Sequence, residues 1–165
     1  AADYTVTITG LQISPNCQNF DGDDSEEWAW TFSVAGQSVC LSRTTNNNLP
    51  WQAAVSQPID FSTSKAQIRL NIDAWEKDAP GPPCVWEHGD EARQRMQDNV
   101  AFDLLSLNFG QQIFWTQKLI FVDRPNMSGD QGCSTVIEGQ LLKRDTNYMA
   151  TPSSRRLLPL LLTHI

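Results

Sequence analysis

Histidine is scarce in this chain: His88 and His164 are the only two among 165 residues. There is no Gly-x-Ser-x-Gly elbow, no His-Glu-x-x-His pair and no glycine-rich phosphate loop. The nucleophilic, zinc-hydrolytic and phosphate-cradling chemistries that those motifs carry are therefore unsupported. No two cysteines have the Cys-x-x-Cys spacing, which argues against a zinc ribbon or a thioredoxin-type redox centre. Basic residues are outnumbered, 12 Lys and Arg against 19 Asp and Glu, giving a net charge of −7. A general nucleic-acid binder shows a basic patch, and none is expected here. Adhesion to an anionic membrane would need a bound metal to change the local sign. No apolar run approaches the ~20 residues of a membrane-spanning helix. The most apolar stretch, Leu157 to Leu162, is short and contains Pro159.

What is present alternates with a period of two, the period of strands. Tyr4, Val6 and Ile8 alternate with threonines. Trp28, Trp30, Phe32 and Val34 follow, then Ile68, Leu70, Ile72 and Ala74. Ile113–Val122 and Thr135–Leu142 read as two more strands, with shorter ones at Val39–Arg43 and Ala53–Ile59. The stretch from Val100 to Phe109 is apolar but irregular, which predicts a strand with a bulge. Turn chemistry separates these runs at Ala35-Gly36-Gln37, Asn46 to Pro50, Pro80-Gly81-Pro82-Pro83 and Asn108-Phe109-Gly110. About eight strands on short connections predict an all-β protein, an antiparallel β-sandwich. One segment departs from the pattern. Glu87 to Asn99 is charged and lacks β-branched residues, which predicts a short helix within a long loop that is either functional or a disordered excursion. The sandwich is expected to occupy residues 1–146. Residues 147–165 read as an extension that is disordered, docks on a partner or a second copy of the chain, or is trimmed at Arg155-Arg156.

The acids are concentrated in two places. Asp21, Asp23, Asp24, Glu26 and Glu27 form one cluster, and Asp73, Glu76, Asp78, Glu87, Asp90 and Glu91 fall within 73–91. Carboxylates at this density repel one another unless water, salt or a cation screens them, and calcium takes several oxygen ligands from adjacent loops. Solvated acidic loops are the plainer alternative. Continued alternation puts Glu76 and Asp78 on the side of Ile72 and Ala74, at a strand end where two carboxylates can reach one cation. An EF-hand does not fit, because Gly22 stands at the second position of the cluster and no glutamate closes a twelve-residue loop.

Cys17, Cys40, Cys84 and Cys133 are widely spaced and even in number, which predicts two disulfides in an oxidising compartment, with all three pairings open. The first residues, Ala1-Ala2-Asp3, resemble an end left by signal-peptide cleavage. Asn126-Met127-Ser128 is an N-glycosylation sequon. Together these predict a secreted glycoprotein.

The order of features resembles a C2 domain, the calcium- and phospholipid-binding sandwich of synaptotagmin and protein kinase C. The opening strand and Gly-Leu turn correspond to Val6 to Leu11. An aspartate-bearing first loop leading into an aromatic strand corresponds to Asp21 to Val34. An Asn-Pro-x-aromatic turn corresponds to Asn47 to Trp51, and a strand ending in an aromatic and an acidic pair to Ala74 to Asp78. The resemblance spans roughly residues 4–110. It implies calcium ligands at Asp21, Asp23 or Asp24, with Glu76 and Asp78, and Asp90 as a fifth. Departures are a long third loop, Ala79 to Gln97, carrying Cys84; glutamate at the first place of the acidic pair; the absence of the tetrabasic lipid-binding strand; and the cysteines themselves.

Six tryptophans are many for this length. Trp28, Trp30 and Trp75 fall in strand patterns and read as core or sheet-face residues. Trp51, Trp86 and Trp115 are candidates for exposure, where indole rings can stack on a partner or on the apolar faces of sugars. The function expected is a non-enzymatic extracellular module in which calcium orders a surface for a protein or matrix partner. A lectin-like carbohydrate-binding module and a structural subunit of an extracellular assembly are the alternatives. The one enzymatic option is glycoside hydrolysis by two carboxylates drawn from Glu76, Glu87 and Glu138.

Overall fold

Inward-facing apolar residues alternate with outward-facing polar ones along eight strands, and the chain closes them face to face. The computed structural model describes residues 1–15, 17, 27–45, 50–77, 80–87, 95–120 and 133–145. The strands are β1 (Ala2–Ile13), β2 (Glu27–Val34), β3 (Gln37–Thr44), β4 (Trp51–Thr63), β5 (Gln67–Glu76), β6 (Arg95–Asp103), β7 (Gln112–Ile120) and β8 (Ser134–Lys143). They form two four-stranded sheets, ordered β4-β1-β8-β7 and β3-β2-β5-β6. Every pairing is antiparallel. Pro58 falls within β4, whose position at a sheet edge tolerates the missing N–H.

The phase of β1 changes once. Its register shifts between Ile8 and Gly10 against both neighbours. Tyr4, Val6 and Ile8 face the core before this bulge, and Leu11 and Ile13 face it after. Had the alternation run unbroken from Ile8, Leu11 and Ile13 would point to solvent.

The two sheets are joined through Trp30. Its ring is fully buried and lies 5.9 Å from Trp51 and 6.3 Å from Trp28, stacked on both. Its indole N–H donates to Thr135 Oγ1 on the opposite sheet at 3.0 Å, and that hydroxyl donates to the Gln12 carbonyl at 2.7 Å. A buried indole N–H is costly without such an acceptor. Farther along, Trp115 lies directly across from Gly139. A Cβ at Gly139 would stand 2.2 Å from the indole, so glycine is what lets the ring lie flat against β8 and meet Phe102 edge-on at 6.1 Å.

Two expectations need correction. The segment from Glu87 to Asn99 does not end in a helix: β6 begins at Arg95, and no helix occurs among the described residues. Alternation is present there, with Met96 buried and Gln97 exposed, but β6 is an edge strand and carries charge on both faces. Val100 to Phe109 is not one strand. It leaves β6 after Asp103 and turns, with the Leu104 N–H donating to the Ala66 carbonyl at 2.8 Å. Leu104 and Leu107 are buried because they cap the end of the sandwich. The extension at 147–165 lies outside the described residues. No helix among those described is long and apolar enough to cross a membrane.

Candidate functional site

Connectivity gathers the acidic segments at one end. The connections 14–26, 45–50, 77–94 and 121–133 all leave and re-enter the strands there. Cross-strand pairs fix that end: Ile13 with Trp51 and Thr135, Trp28 with Glu76, Trp75 with Arg95, and Ile120 with Ser134. Asp21, Asp23, Asp24 and Glu26 belong to the first connection, and Asp78, Glu87, Asp90 and Glu91 to the third. Asp123 and Asp130 belong to the fourth. Asp21, Asp23, Asp24, Asp78 and Asp90 lie outside the described residues, as does the sequon residue Asn126. Among the described residues no three acids, histidines or cysteines cluster as a metal site.

Glu76 is the predicted ligand that the structure describes. It ends β5 at 1% exposure, and its Oε1 accepts the backbone N–H of Glu27 at 3.3 Å. The next residue supports the same junction. The Lys77 N–H donates to the Glu27 carbonyl at 2.7 Å. Its ammonium is buried, donates to the Val85 carbonyl and meets Glu87 Oε2 at 2.9 Å. A buried ammonium is tolerated only when paired and hydrogen-bonded, so Lys77 fastens the 80–87 segment onto the sheet. In the sequence Lys77 is marked only as a lone cation in an acidic strand end.

Both disulfides fasten this end. Cys17 pairs with Cys133, joining the first connection to the fourth, and Cys40 pairs with Cys84, joining β3 to the third. No described cysteine is free. The second bridge draws Trp86 over the outer face of β5, where it meets Trp75 edge-on at 5.9 Å. The Arg95 guanidinium lies 4.6 Å from the Trp86 ring centre and chelates the Asp73 carboxylate. The hydrogen bond that Arg95 donates to Asp73 raises the Arg95 pKa further, against the opposing effect of partial burial.

The three tryptophans read as candidates for exposure are all half-buried. Trp51 stacks on Trp30, Trp115 packs against Gly139, and Trp86 is held between Trp75 and Arg95. Of the carboxylates considered for glycoside hydrolysis, Glu76 and Glu87 belong to the loop end of one sheet. Glu138 is exposed on the outer face of the other, beside Gly10.

No protein-family model and no curated protein sequence matches the chain. Solved structures do. The C2A domain of plant extended synaptotagmin 1 superposes with a TM-score of 0.53 at 12% identity, over 87% of this chain and 95% of that domain. A C2 domain protein from Ramazzottius varieornatus superposes with a TM-score of 0.50 at 12% identity, over 93% of this chain and 96% of that one. The chain has the C2 fold, as its order of motifs implied.

Proposed function

We propose that the chain is a calcium-dependent extracellular interaction module. The observation that supports this most is the convergence of the two acidic connections on one end, above a buried glutamate. The donor chemistry fits: carboxylate oxygens from adjacent loops suit a hard cation. Asp21, Asp23 or Asp24, Glu76 and Asp78 would hold the ion, with Asp90 as a further ligand. Calcium, when bound, supplies positive charge that offsets the repulsion among these acids. The chain's own part is to present the ligands from a fixed base. Glu76 is held by the Glu27 N–H, and Lys77 and Cys84 restrain the third connection. The ordered loops then form the surface for a protein or matrix partner. Two disulfides support the extracellular setting. Affinity is expected in the extracellular range, on the order of 0.1–1 mM.

Calorimetric titration of calcium into the chelator-stripped protein tests the proposal. Saturable heat, lost in the Glu76→Gln, Asp78→Asn double variant, is the expected result. Titration without heat, in a protein that remains folded, would leave the acidic clusters as solvated surface.

A further inference from the structure

The outer face of the β3-β2-β5-β6 sheet carries a groove of about 490 Å³ lined by Thr31, Ser33, Asn71, Asp73, Gln97 and Asn99, with Asp98 at its border. The register makes these residues two rungs across three strands. Thr31, Asp73 and Gln97 stand side by side, as do Ser33, Asn71 and Asn99. Rungs two residues apart are separated by about 7 Å along the strands, and three strands span about 10 Å. The result is a regular grid of hydroxyls and amides on a rigid support. Small hydroxyl side chains on β2 give the grid its depth.

The third rung closes one end. Ala29, Trp75 and Arg95 lie side by side there, with Trp86 seated over them. Cys40 pairs with Thr31 across β3, so the Cys40–Cys84 bridge stands beside the groove and holds the segment bearing Trp86 in place.

The polar groups divide into fixed and unsatisfied. Asp73 is gripped by Arg95 and receives the Gln97 amide at 3.3 Å. Asp98 receives the Gln117 amide at 2.8 Å and the Asn99 N–H at 2.8 Å. The side chains of Thr31, Ser33 and Asn71 make no hydrogen bond among the described residues. The two carboxylates repel an anionic ligand, while Arg95 on Asp73 and Arg69, which donates to Asn99 Oδ1 at 3.4 Å, offset their attraction for a cation. A neutral molecule with many hydroxyls matches this balance, because it donates to carboxylates and amide oxygens and accepts from amide N–H groups.

We propose that this groove binds a neutral oligosaccharide, independently of calcium and of the loop end. The planar amides of Asn71, Gln97 and Asn99 read the hydroxyls, and Trp86 with Arg95 forms the end wall.

The test is a nuclear magnetic resonance titration of the isotope-labelled full chain with cellohexaose, mannohexaose and chitohexaose, in chelator. At least one sugar is expected to saturate and to shift the amides of residues 31, 33, 71, 73, 97 and 99. The Asn71→Ala, Gln97→Ala double variant, on an exposed face, should melt like the parent and bind about tenfold or more weakly, since each lost hydrogen bond contributes modestly to binding. Absence of saturable shifts with all three sugars overturns the proposal. So does binding that survives the double variant, or that appears only with calcium.

Discussion

The two ends of the sandwich are built to different rules. At one end the strands are joined by Ala35-Gly36 and by residues 64–66 and 104–111, and none of these connections carries an acid. Backbone bonds knit them directly. The Gly110 N–H donates to the Lys143 carbonyl at 2.7 Å, the Lys143 N–H to Gln111 at 3.0 Å, and the Lys143 ammonium to Leu107 at 3.0 Å. At the other end the connections 14–26, 77–94 and 121–133 are long and acidic, and residues 45–50 join the remaining pair. There the restraint is moved below the loops, into Trp30, Lys77 and two disulfides. Long connections are uncommon in compact domains and usually serve function. The restraint therefore lies within the connections at one end and in the strands and bridges beneath them at the other.

The largest expected effect probes the aromatic base. Trp30→Ala should lower stability by about 3–5 kcal/mol, because it opens a core cavity and removes the acceptor role of Thr135. Urea unfolding measures it. A loss below about 1.5 kcal/mol, within the range of a single hydrogen bond, would mean that Trp30 does not join the sheets and that the ends differ only in their loops.

The disulfides sharpen the comparison next. Removing either by paired Cys→Ser substitution should cost about 2–5 kcal/mol. The Cys17–Cys133 bridge spans 116 residues and the Cys40–Cys84 bridge 44. Loop-closure entropy makes the first costlier by about 0.9 kcal/mol. Burial points the same way, since Cys17 and Cys133 are in the core and Cys40 and Cys84 are half-buried. The reverse order in chemical denaturation would show that the second bridge stabilises more than its own segment.

The proposed calcium site predicts a difference in dynamics between the two ends. With calcium ten- to a hundredfold above its dissociation constant, the protein should gain about 1.4–2.7 kcal/mol. Hydrogen exchange should slow at Glu27, Glu76 and Lys77 and stay unchanged at Gly110 and Lys143. Protection spread evenly over both ends would remove the reading of a fixed body beneath a responsive edge.

The sheets were legible because both core strands and outer faces obey the strand period. Ile68, Leu70, Ile72 and Ala74 announce β5 directly, and Trp28, Trp30 and Phe32 announce β2. Arg95 to Asn99 looks helical in sequence because an edge strand carries polar residues inward as well as outward. Leu104 and Leu107 look like strand in sequence because apolarity alone does not distinguish a strand from a turn that caps a core. That the acidic segments share one end was implied only by the C2 resemblance, since it follows from the direction in which each flanking strand runs. The polar groove was hidden for a related reason. Asn71, Gln97 and Asn99 are unremarkable surface residues until the register sets them side by side.

The smallest effect belongs to the tight end. Ala35 and Gly36 both have positive φ, 48° and 78°, as a two-residue hairpin of the primed type requires. Alanine pays about 1–2 kcal/mol for that conformation, whereas asparagine tolerates it better. Ala35→Asn should therefore stabilise by about 0.5–1 kcal/mol, read as a higher denaturation midpoint with an unchanged slope. Ala35→Gly should gain less, because glycine also frees the unfolded chain. Both variants lie at the opposite end from the acids, so both should leave calcium binding unaltered. A change in calcium affinity on repairing this turn would mean that the two ends are coupled through the strands, and the division of labour between them would fail.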